Sequence, residues 1–302
     1  MTQETPSLTG LAEPEIGLGL CVYNGEPYLS SSLDSILAQE GDFELVIADN
    51  ASTDGTEEIC RERARNDPRV RYLRRERNIG VTATHNQIIH ETRGEFFAWV
   101  TSDDRYRADR LVLLADALRK HPEAAMAFSG AEEVDQDGQT LSIWLNTAPT
   151  DDPDPVRRLH AKLSHYDETL HFYGLMRRSV LERALPLAPI VACDRVLIAD
   201  LALLGPLIAV NEPLLWHRNH PGSVSRANRS RAFRKREAPE ENLRWFLPNV
   251  EEGRCLLRAI GNAPLTRGQR ARAYAAMRPW LRRNAVPMLK NVAHVLLARG
   301  ER

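Results

Sequence analysis

Two adjacent carboxylates, Asp103 and Asp104, stand just after the apolar run Phe96-Phe97-Ala98-Trp99-Val100. A buried strand that runs into acids is where an open α/β sheet places its chemistry, because ligands bind outside the carboxyl ends of its strands. Paired acids there can hold a hard divalent cation through oxygen, or move a proton. The plainer alternative is a solvated turn in which Asp104 or Asp109 caps the helix that follows. A second polar loop, Asp49-Asn50-Ala51-Ser52-Thr53-Asp54-Gly55-Thr56, also follows an apolar run and opens a helix. Its acids, hydroxyls and backbone N–H groups suit a nucleotide base or ribose. Asp49, at the strand end, is the better ligand there and Asp54 the better helix cap. Tyr23-Asn24 and Asn78 lie at two more strand ends, and His217 and His220 are spaced i, i+3 in a turn-prone segment. No GxGxxG follows the first apolar run and no Walker lysine motif occurs, which excludes the dinucleotide and P-loop readings.

Such residues need a scaffold that brings several strand ends to one edge, and the periodicity supplies it. Residues 16–22, 43–48, 70–73 and 95–100 read as strands. Each precedes a run at helical spacing, over 29–37, 59–64, 81–89 and 109–120. This fourfold alternation with short connections predicts the α/β class, with a mostly parallel sheet flanked by helices. Residues 124–128 add a fifth strand, and Asp135-Gln136-Asp137-Gly138 a hairpin turn. Beyond residue 146 the pattern weakens. Helices are expected over 156–163 and 191–204, one strand over 172–176, and two short strands over 207–210 and 214–216. The stretch 226–236 is dense in arginine without an apolar period, and helices follow from about residue 240.

With 302 residues, 43% of them hydrophobic, the chain has ample material for a folded core. Its four cysteines (Cys21, Cys60, Cys193, Cys255) form no CxxC pair. That excludes a zinc-ribbon or disulfide framework and suits a reducing, cytoplasmic compartment. No apolar run approaches the roughly 20 residues that span a bilayer, and the polar, acidic N-terminal stretch is expected to carry no secretory leader. The net charge of −1 conceals an asymmetry: residues 253–302 hold eleven Lys and Arg against one acid, Glu301. There arginine is mixed with Trp280, Leu281, Val286, Leu289, Val292, Val295, Leu296 and Leu297, and Pro279 and Pro287 are expected to break the run into pieces. It reads either as an amphipathic surface for the anionic inner face of a membrane or as a helical cap packed on the domain. No nucleic acid partner is expected, since the body is acidic and lacks a stacking platform.

The order of these motifs resembles glycosyltransferase family 2, the inverting nucleotide-sugar enzymes of the GT-A fold. The matching pieces are Val22-Tyr23-Asn24-Gly25, the loop Asp49 to Thr56, Asn78-Ile79-Gly80 ahead of a helix carrying Asn86, and Gly94-Glu95-Phe96 leading into Asp103. Gly174-Leu175-Met176-Arg177-Arg178 and Arg218-Asn219-His220-Pro221-Gly222-Ser223 follow, so the likeness covers about residues 16–225. It implies a GT-A (Rossmann-like) domain with a nucleotide-sugar part (15–130) and an acceptor part (131–225). The polar stretch without a period before it (1–14) reads as a loose tail, and the chain after it (226–302) as a basic linker with a C-terminal helical extension.

The resemblance also implies site roles. Tyr23 would lie against the base and Asp49 would bond it. Asn24, Asn50, Asn78, Asn86, Ser102 and Arg177 would line the nucleotide sugar. Asp103 would ligate Mg²⁺ or Mn²⁺ on the diphosphate, with His220 completing the metal or phosphate shell. Asp194, ahead of the apolar run Val196-Leu197-Ile198-Ala199, would be the general base; Asp200, deeper in that helix, reads as structural. The pattern departs at Thr101, which stands at the first acid of the family's Asp-x-Asp and leaves Asp104 as the remaining second carboxylate. His85 stands where the family often has Arg.

The implied activity is transfer of a hexose-type sugar from a UDP, GDP or TDP sugar to a hydroxyl of a glycan or lipid-linked acceptor. Polysaccharide or glycolipid assembly at the cytoplasmic membrane face is the implied setting. Residues 226–236 would be either a lid over the diphosphate or a linker. Two other readings remain. A sugar-1-phosphate nucleotidyltransferase wants a Gly-rich, Arg/Lys-bearing loop after the first strand, where this chain has Cys21-Val22-Tyr23-Asn24. A non-catalytic nucleotide-sugar-binding protein on a degenerate fold is motivated by Thr101.

Overall fold

The computed structural model describes residues 13–165, 169–221 and 247–297. Most of the expected tail and the whole arginine-dense stretch 226–236 lie outside the described residues. The apolar runs form β1 (Ile16–Val22), β2 (Phe43–Asp49), β3 (Val70–Arg74) and β4 (Phe96–Val100). β2 and β4 are buried along their whole length, which is why they read as continuous runs rather than alternations. Between the strands lie α1 (Glu26–Leu37), α2 (Thr56–Asn66) and α3 (Val81–Glu91). Pro27 opens α1 where its missing N–H removes nothing. Gly80 starts α3 at φ 88°, a backbone conformation that a Cβ disfavours.

After β4 come the two-residue β5 (Arg105–Tyr106), α4 (Arg110–Lys120), β6 (Met126–Val134) and β7 (Thr140–Trp144). They are followed by α5 (Pro155–Ser164), a 3-10 turn (Thr169–Tyr173), β8 (Leu175–Arg177) and α6 (Arg178–Ala184). α7 (Cys193–Leu204), β9 (Leu207–Arg218), α8 (Pro248–Asn262), α9 (Arg267–Ala276) and α10 (Arg278–Leu297) complete the order.

The strands make one nine-stranded sheet in the order β3-β2-β1-β4-β8-β6-β9-β5, with β7 also on β6. β1 to β4 are mutually parallel. β8 runs antiparallel to both β4 and β6, so β6 and its parallel neighbour β9 point the same way as β4. Six of the nine strands therefore share one direction, and the C-terminal end of β9 arrives at the edge where β1 to β4 end.

Three expectations change here. The two short strands over 207–216 are one strand, because register shifts at Ser129, Gly130 and Ala131 let Pro213 pass inside the pairing. The strand expected over 172–176 begins as a 3-10 turn and pairs only from Leu175. Pro287 does not break the C-terminal run, since it sits inside α10, and Pro279 lies in the first turn of that helix, where proline is tolerated.

Alternating side chains of the strands supply two cores. Leu18, Leu20, Leu45, Ile47 and Phe96 pack under α1, α2 and α4. Val46, Phe97 and Trp99 pack under α3, α6 and α7. A third cluster joins α5 and α7 to the C-terminal helices around Trp280, which is wholly buried. Gly253 in α8 admits that indole, as a Cβ there would lie 2.6 Å from it. One side of the basic tail is thus a packed cap, while Leu281, Val286 and Leu289 stay exposed. No helix among the described residues is long and apolar enough to cross a membrane.

Candidate active site

The loops after β1, β2 and β3 are stitched into one ledge. Asn24 N donates to Ser52 Oγ (3.0 Å), and Asn24 Oδ1 accepts from Thr53 N (2.8 Å). Gly25 N donates to Thr56 Oγ1 (2.9 Å). Asp54 accepts from Thr56 N and from Glu26 N, while Glu26 returns an acceptor to Gly55 N. Asp54 therefore steadies two helix starts, which keeps it structural. Asn50 Nδ2 donates to Asn78 Oδ1 (2.7 Å), and Asn50 Oδ1 accepts from Ile79 N (2.9 Å), tying the ledge to the β3 end. Asn24 (φ 53°) and Ala51 (φ 65°) hold left-handed backbone here, a strain that the surrounding bonds hold in place. Tyr23 leaves the ledge with its side chain open to solvent (43% exposed), free to lie against a flat ligand.

Asp49 is placed differently from the expectation that it bonds a base. It is fully buried, and its oxygens accept from Ser52 N (2.8 Å), the Tyr72 hydroxyl (2.7 Å) and Arg74 Nη1 (2.6 Å). A carboxylate with its lone pairs so engaged builds the loop.

The turn after β4 has its own internal logic. Thr101 Oγ1 accepts from Asp104 N (3.1 Å), and Thr101 N donates to the Tyr106 hydroxyl (2.8 Å). The residue that departs from the Asp-x-Asp pattern thus closes the turn that aims Asp103 and Asp104. Ser102 lies against Gly25, where an added Cβ would meet its own at 3.4 Å. Asp109 precedes α4 without capping it; its carboxylate pairs with Arg107 instead.

β9 delivers the partners of both acids. Asp104 is buried and accepts from Arg218 N (2.9 Å), with His217 Nδ1 at 3.1 Å. Asp104 is thus held inward by β9, and it does not cap the helix that follows, which Asp109 precedes. Burial pulls the His217 pKa down, but the Asp104 bond and the charges of Asp104, Asp103 and Glu133 outweigh it, and the imidazole titrates above its ordinary value. Asp103 is more open, with Oδ2 3.1 Å from His220 Nε2. Burial and the Asp104 charge raise its carboxyl above the usual range, against the opposing bond and charge of His220. The His220 ring rests on Tyr28 at 4.6 Å, and the Arg218 guanidinium lies over the same ring at 4.9 Å.

Asp194 sits in the first turn of α7. Burial raises its carboxyl, opposed by the Arg195 charge and backbone N–H groups. At Tyr173, burial first, then the charges of Asp104, Asp103, Tyr106 and Asp194, hold the phenol well above its ordinary value. All three carboxylates are therefore within electrostatic reach of one side chain. Asp200, six positions further along α7, is raised to about 6 by burial against the charge of Arg183. The folded state then keeps a proton that the unfolded chain loses between 3.8 and about 6. Stability from this group is full below that window and is lost as pH rises through it. Asp200→Asn should raise the melting temperature by roughly 4 °C at about pH 8 and leave it unchanged at about pH 4. Thermal unfolding at the two pH values checks this, and an equal shift at both would remove burial as the cause.

Two expected ligands lie elsewhere. Arg177 pairs with Phe96, the first residue of β4, roughly 20 Å along the sheet from Asp103. Its guanidinium bonds Glu95 (2.5 Å) and Leu118 O (2.9 Å), so it fastens the opposite edge of the sheet. Asn86 clamps the backbone of Leu187 from both sides (3.0 and 2.7 Å), fixing the segment that leads to Asp194. His85, at the family's Arg position, packs against the edges of the stacked Trp99 and Phe172 rings, and burial drops its pKa to about 4, so it is a neutral packing residue. Nothing in the sequence singles out Tyr28 or Tyr173; each is one aromatic residue inside an element, with no spacing to mark it, whereas Arg218 opens the motif that runs to Ser223.

Among the described residues no three His, Cys, Asp or Glu side chains cluster as a metal site. Asp103 and His220 nevertheless present a carboxylate oxygen and an imidazole nitrogen to one point. That donor pair suits Mn²⁺ or Mg²⁺ when phosphate oxygens complete the shell.

A family model described as glycosyl transferase family 2 matches residues 18–184. The putative teichuronic acid biosynthesis glycosyltransferase TuaG of Bacillus subtilis is 28% identical over 125 residues, 41% of this chain and 49% of that protein. The chondroitin synthase of Escherichia coli is 30% identical over 134 residues, 44% of this chain and 19% of that protein. An uncharacterised protein of Mycobacterium tuberculosis is 38% identical over 121 residues, 38% of this chain and 35% of its own length. The matched region thus spans half or less of these relatives. Among solved structures, S. aureus TarS (residues 1–349) in complex with UDP-GlcNAc superposes with TM-score 0.66 at 18% identity, covering 88% of this chain and 72% of that one. The mannosyltransferase PcManGT of Pyrobaculum calidifontis, in complex with GDP-Man and Mn²⁺, gives 0.52 at 16%, covering 96% and 76%. At these identities the likeness shows the fold, and the mostly parallel sheet flanked by helices is the expected one.

Proposed function

This chain belongs to glycosyl transferase family 2, and from that premise we propose that it moves a sugar from a nucleoside-diphosphate sugar to an acceptor hydroxyl with inversion. The observation that supports this best is the Asp103–His220 pair at the end of β4, beside a rigid ledge carrying an exposed Tyr23. Tyr23 stacks on the base, and the cross-linked backbone of 49–56 faces the nucleoside. Asp103 and His220 would hold a divalent ion, which when bound supplies charge to the leaving diphosphate.

Asp194 takes the acceptor proton as that oxygen attacks the anomeric carbon from the side opposite the diphosphate. A raised carboxyl suits this role, because a base works best with a pKa nearer the operating pH. The bond from the anomeric carbon to the diphosphate oxygen breaks, and the developing charge stays with the nucleoside diphosphate. His217, tied to Asp104, adds positive charge beside it. The acceptor is a growing glycan or a lipid-linked one, and the setting is polysaccharide or glycolipid assembly at the inner membrane face.

Thermal unfolding with UDP, GDP, TDP or CDP, with and without Mn²⁺, tests the donor half. One diphosphate should stabilise the chain by about 3 kcal/mol at a hundredfold excess over its dissociation constant, and more with Mn²⁺. No response to any of the four would remove the reading. Thr101, in place of an acid, favours a second reading as a binding protein: it would stabilise with a diphosphate yet neither transfer nor hydrolyse any sugar donor.

A further inference from the structure

Away from the sheet edge, α5 and the C-terminal helices α9 and α10 enclose an open cleft of about 770 Å³. Val156, Ala276 and Pro279 give it an apolar floor, and Arg157, Arg272, Arg278 and Arg282 stand around it. Two of these arginines are balanced: Arg272 lies 2.8 Å from Asp154 and Arg157 3.4 Å from Asp152. Arg278 and Arg282 form no ion pair among the described residues and are exposed. Four guanidinium groups against two carboxylates leave the cleft cationic.

The cleft continues along α10. Trp280 and Asn284 define the buried side of that helix. Arg278, Arg282, Val286 and Leu289 follow at three- and four-residue spacing on the opposite side, so they form one stripe. Val286 is 59% and Leu289 71% exposed. Guanidinium forks match phosphate oxygens. A soluble polyanion would make no use of the exposed apolar positions, whereas an amphiphile with a phosphate head and acyl chains would cover both parts.

We propose that this cleft and the outer stripe of α10 are a docking surface for the phosphate headgroups of an anionic lipid bilayer. The headgroups enter between α5 and α10, where Arg278 and Arg282 bond their oxygens. Val286 and Leu289 dip into the acyl boundary. The surface deepens the membrane-face setting given above and rests on that setting alone, not on the sugar chemistry.

The test is co-sedimentation of the full chain with vesicles of phosphatidylcholine alone or mixed equally with phosphatidylglycerol. The chain should bind the mixed vesicles, release them as salt rises, and ignore pure phosphatidylcholine. The double variant Arg278→Gln/Arg282→Gln should bind roughly thirtyfold more weakly, and Val286→Ser/Leu289→Ser roughly tenfold more weakly. Equal binding by wild type and either variant, or no preference for phosphatidylglycerol, overturns the proposal. So does displacement by inorganic phosphate beyond that of sodium chloride at equal ionic strength, which would mark a site for free phosphate. Thermal stabilisation by a nucleoside diphosphate should be unchanged in both variants. If the wild type responds to a diphosphate but binds no vesicles, the docking surface fails and the sugar-transfer reading stands. If it binds vesicles but responds to no diphosphate, the docking surface stands and the sugar-transfer reading fails.

Discussion

Asp194→Asn should lower sugar transfer by about 10³-fold while nucleoside-diphosphate binding stays intact, if the carboxylate is the base proposed above. The amide keeps the size of the carboxyl and its place in the first turn of α7 but cannot accept the acceptor's proton. The Arg195 charge and the helix N–H groups that face the carboxylate tolerate a neutral group, so folding is preserved. Transfer by the wild type should fall as pH drops through a pKa above the ordinary Asp value, because only the ionised form is a base. Steady-state rates on a competent donor and acceptor, with diphosphate thermal shifts alongside, check both halves. Full transfer by the variant would assign the base elsewhere. Asp200 would not inherit the role, since its carboxyl lies six residues deeper in α7 beside Arg183.

Asp103→Ala has a different signature. Transfer falls by about 10³-fold or more, and the extra stabilisation by Mn²⁺ with a nucleoside diphosphate disappears. Asp194→Asn keeps that metal response, so the pair of variants separates the proton step from support of the leaving group. The reason lies in the turn after β4. Asp104 faces inward to Arg218 N and His217 and cannot replace the lost oxygen. His220 remains on Tyr28 but presents a lone imidazole. Calorimetric titration of Mn²⁺ into the diphosphate complex measures the difference directly. Unchanged metal coupling in the Asp103 variant would mean that His220 and the diphosphate suffice.

Much of the scaffold is legible in the sequence because strand burial and helix period are local properties. The runs ending at Val22, Ala48, Leu73 and Val100 announce a parallel sheet, and their trailing polar residues announce an edge. Arg177 shows where that reasoning stops. Its motif follows the acids in chain order, but β8 runs antiparallel to β4 and carries it to the far end of the sheet. Asn86 is a similar case, since its partner is a backbone 101 residues away. Asp49 reads as a ligand because it ends a strand. In the fold, the hydroxyl of Tyr72 and the guanidinium of Arg74 on the neighbouring strand claim it first.

From its sequence alone, this chain determined its class, its order of strands and helices, the four strand ends that carry polar loops, and a basic amphipathic tail. These follow from side-chain period, apolar runs and turn chemistry, which act over a few residues. Tertiary structure alone decided which acid is more open and which is held inward, that β9 brings His217 and His220 to Asp104 and Asp103, and that Asp194 is buried at the start of α7. It also decided that Thr101 shapes the acid turn and that the tail both packs on α5 and α7 and leaves an arginine-lined cleft. Those outcomes depend on strand direction and on which distant groups compete for the same hydrogen bonds, and neither is written in the spacing of residues along the chain.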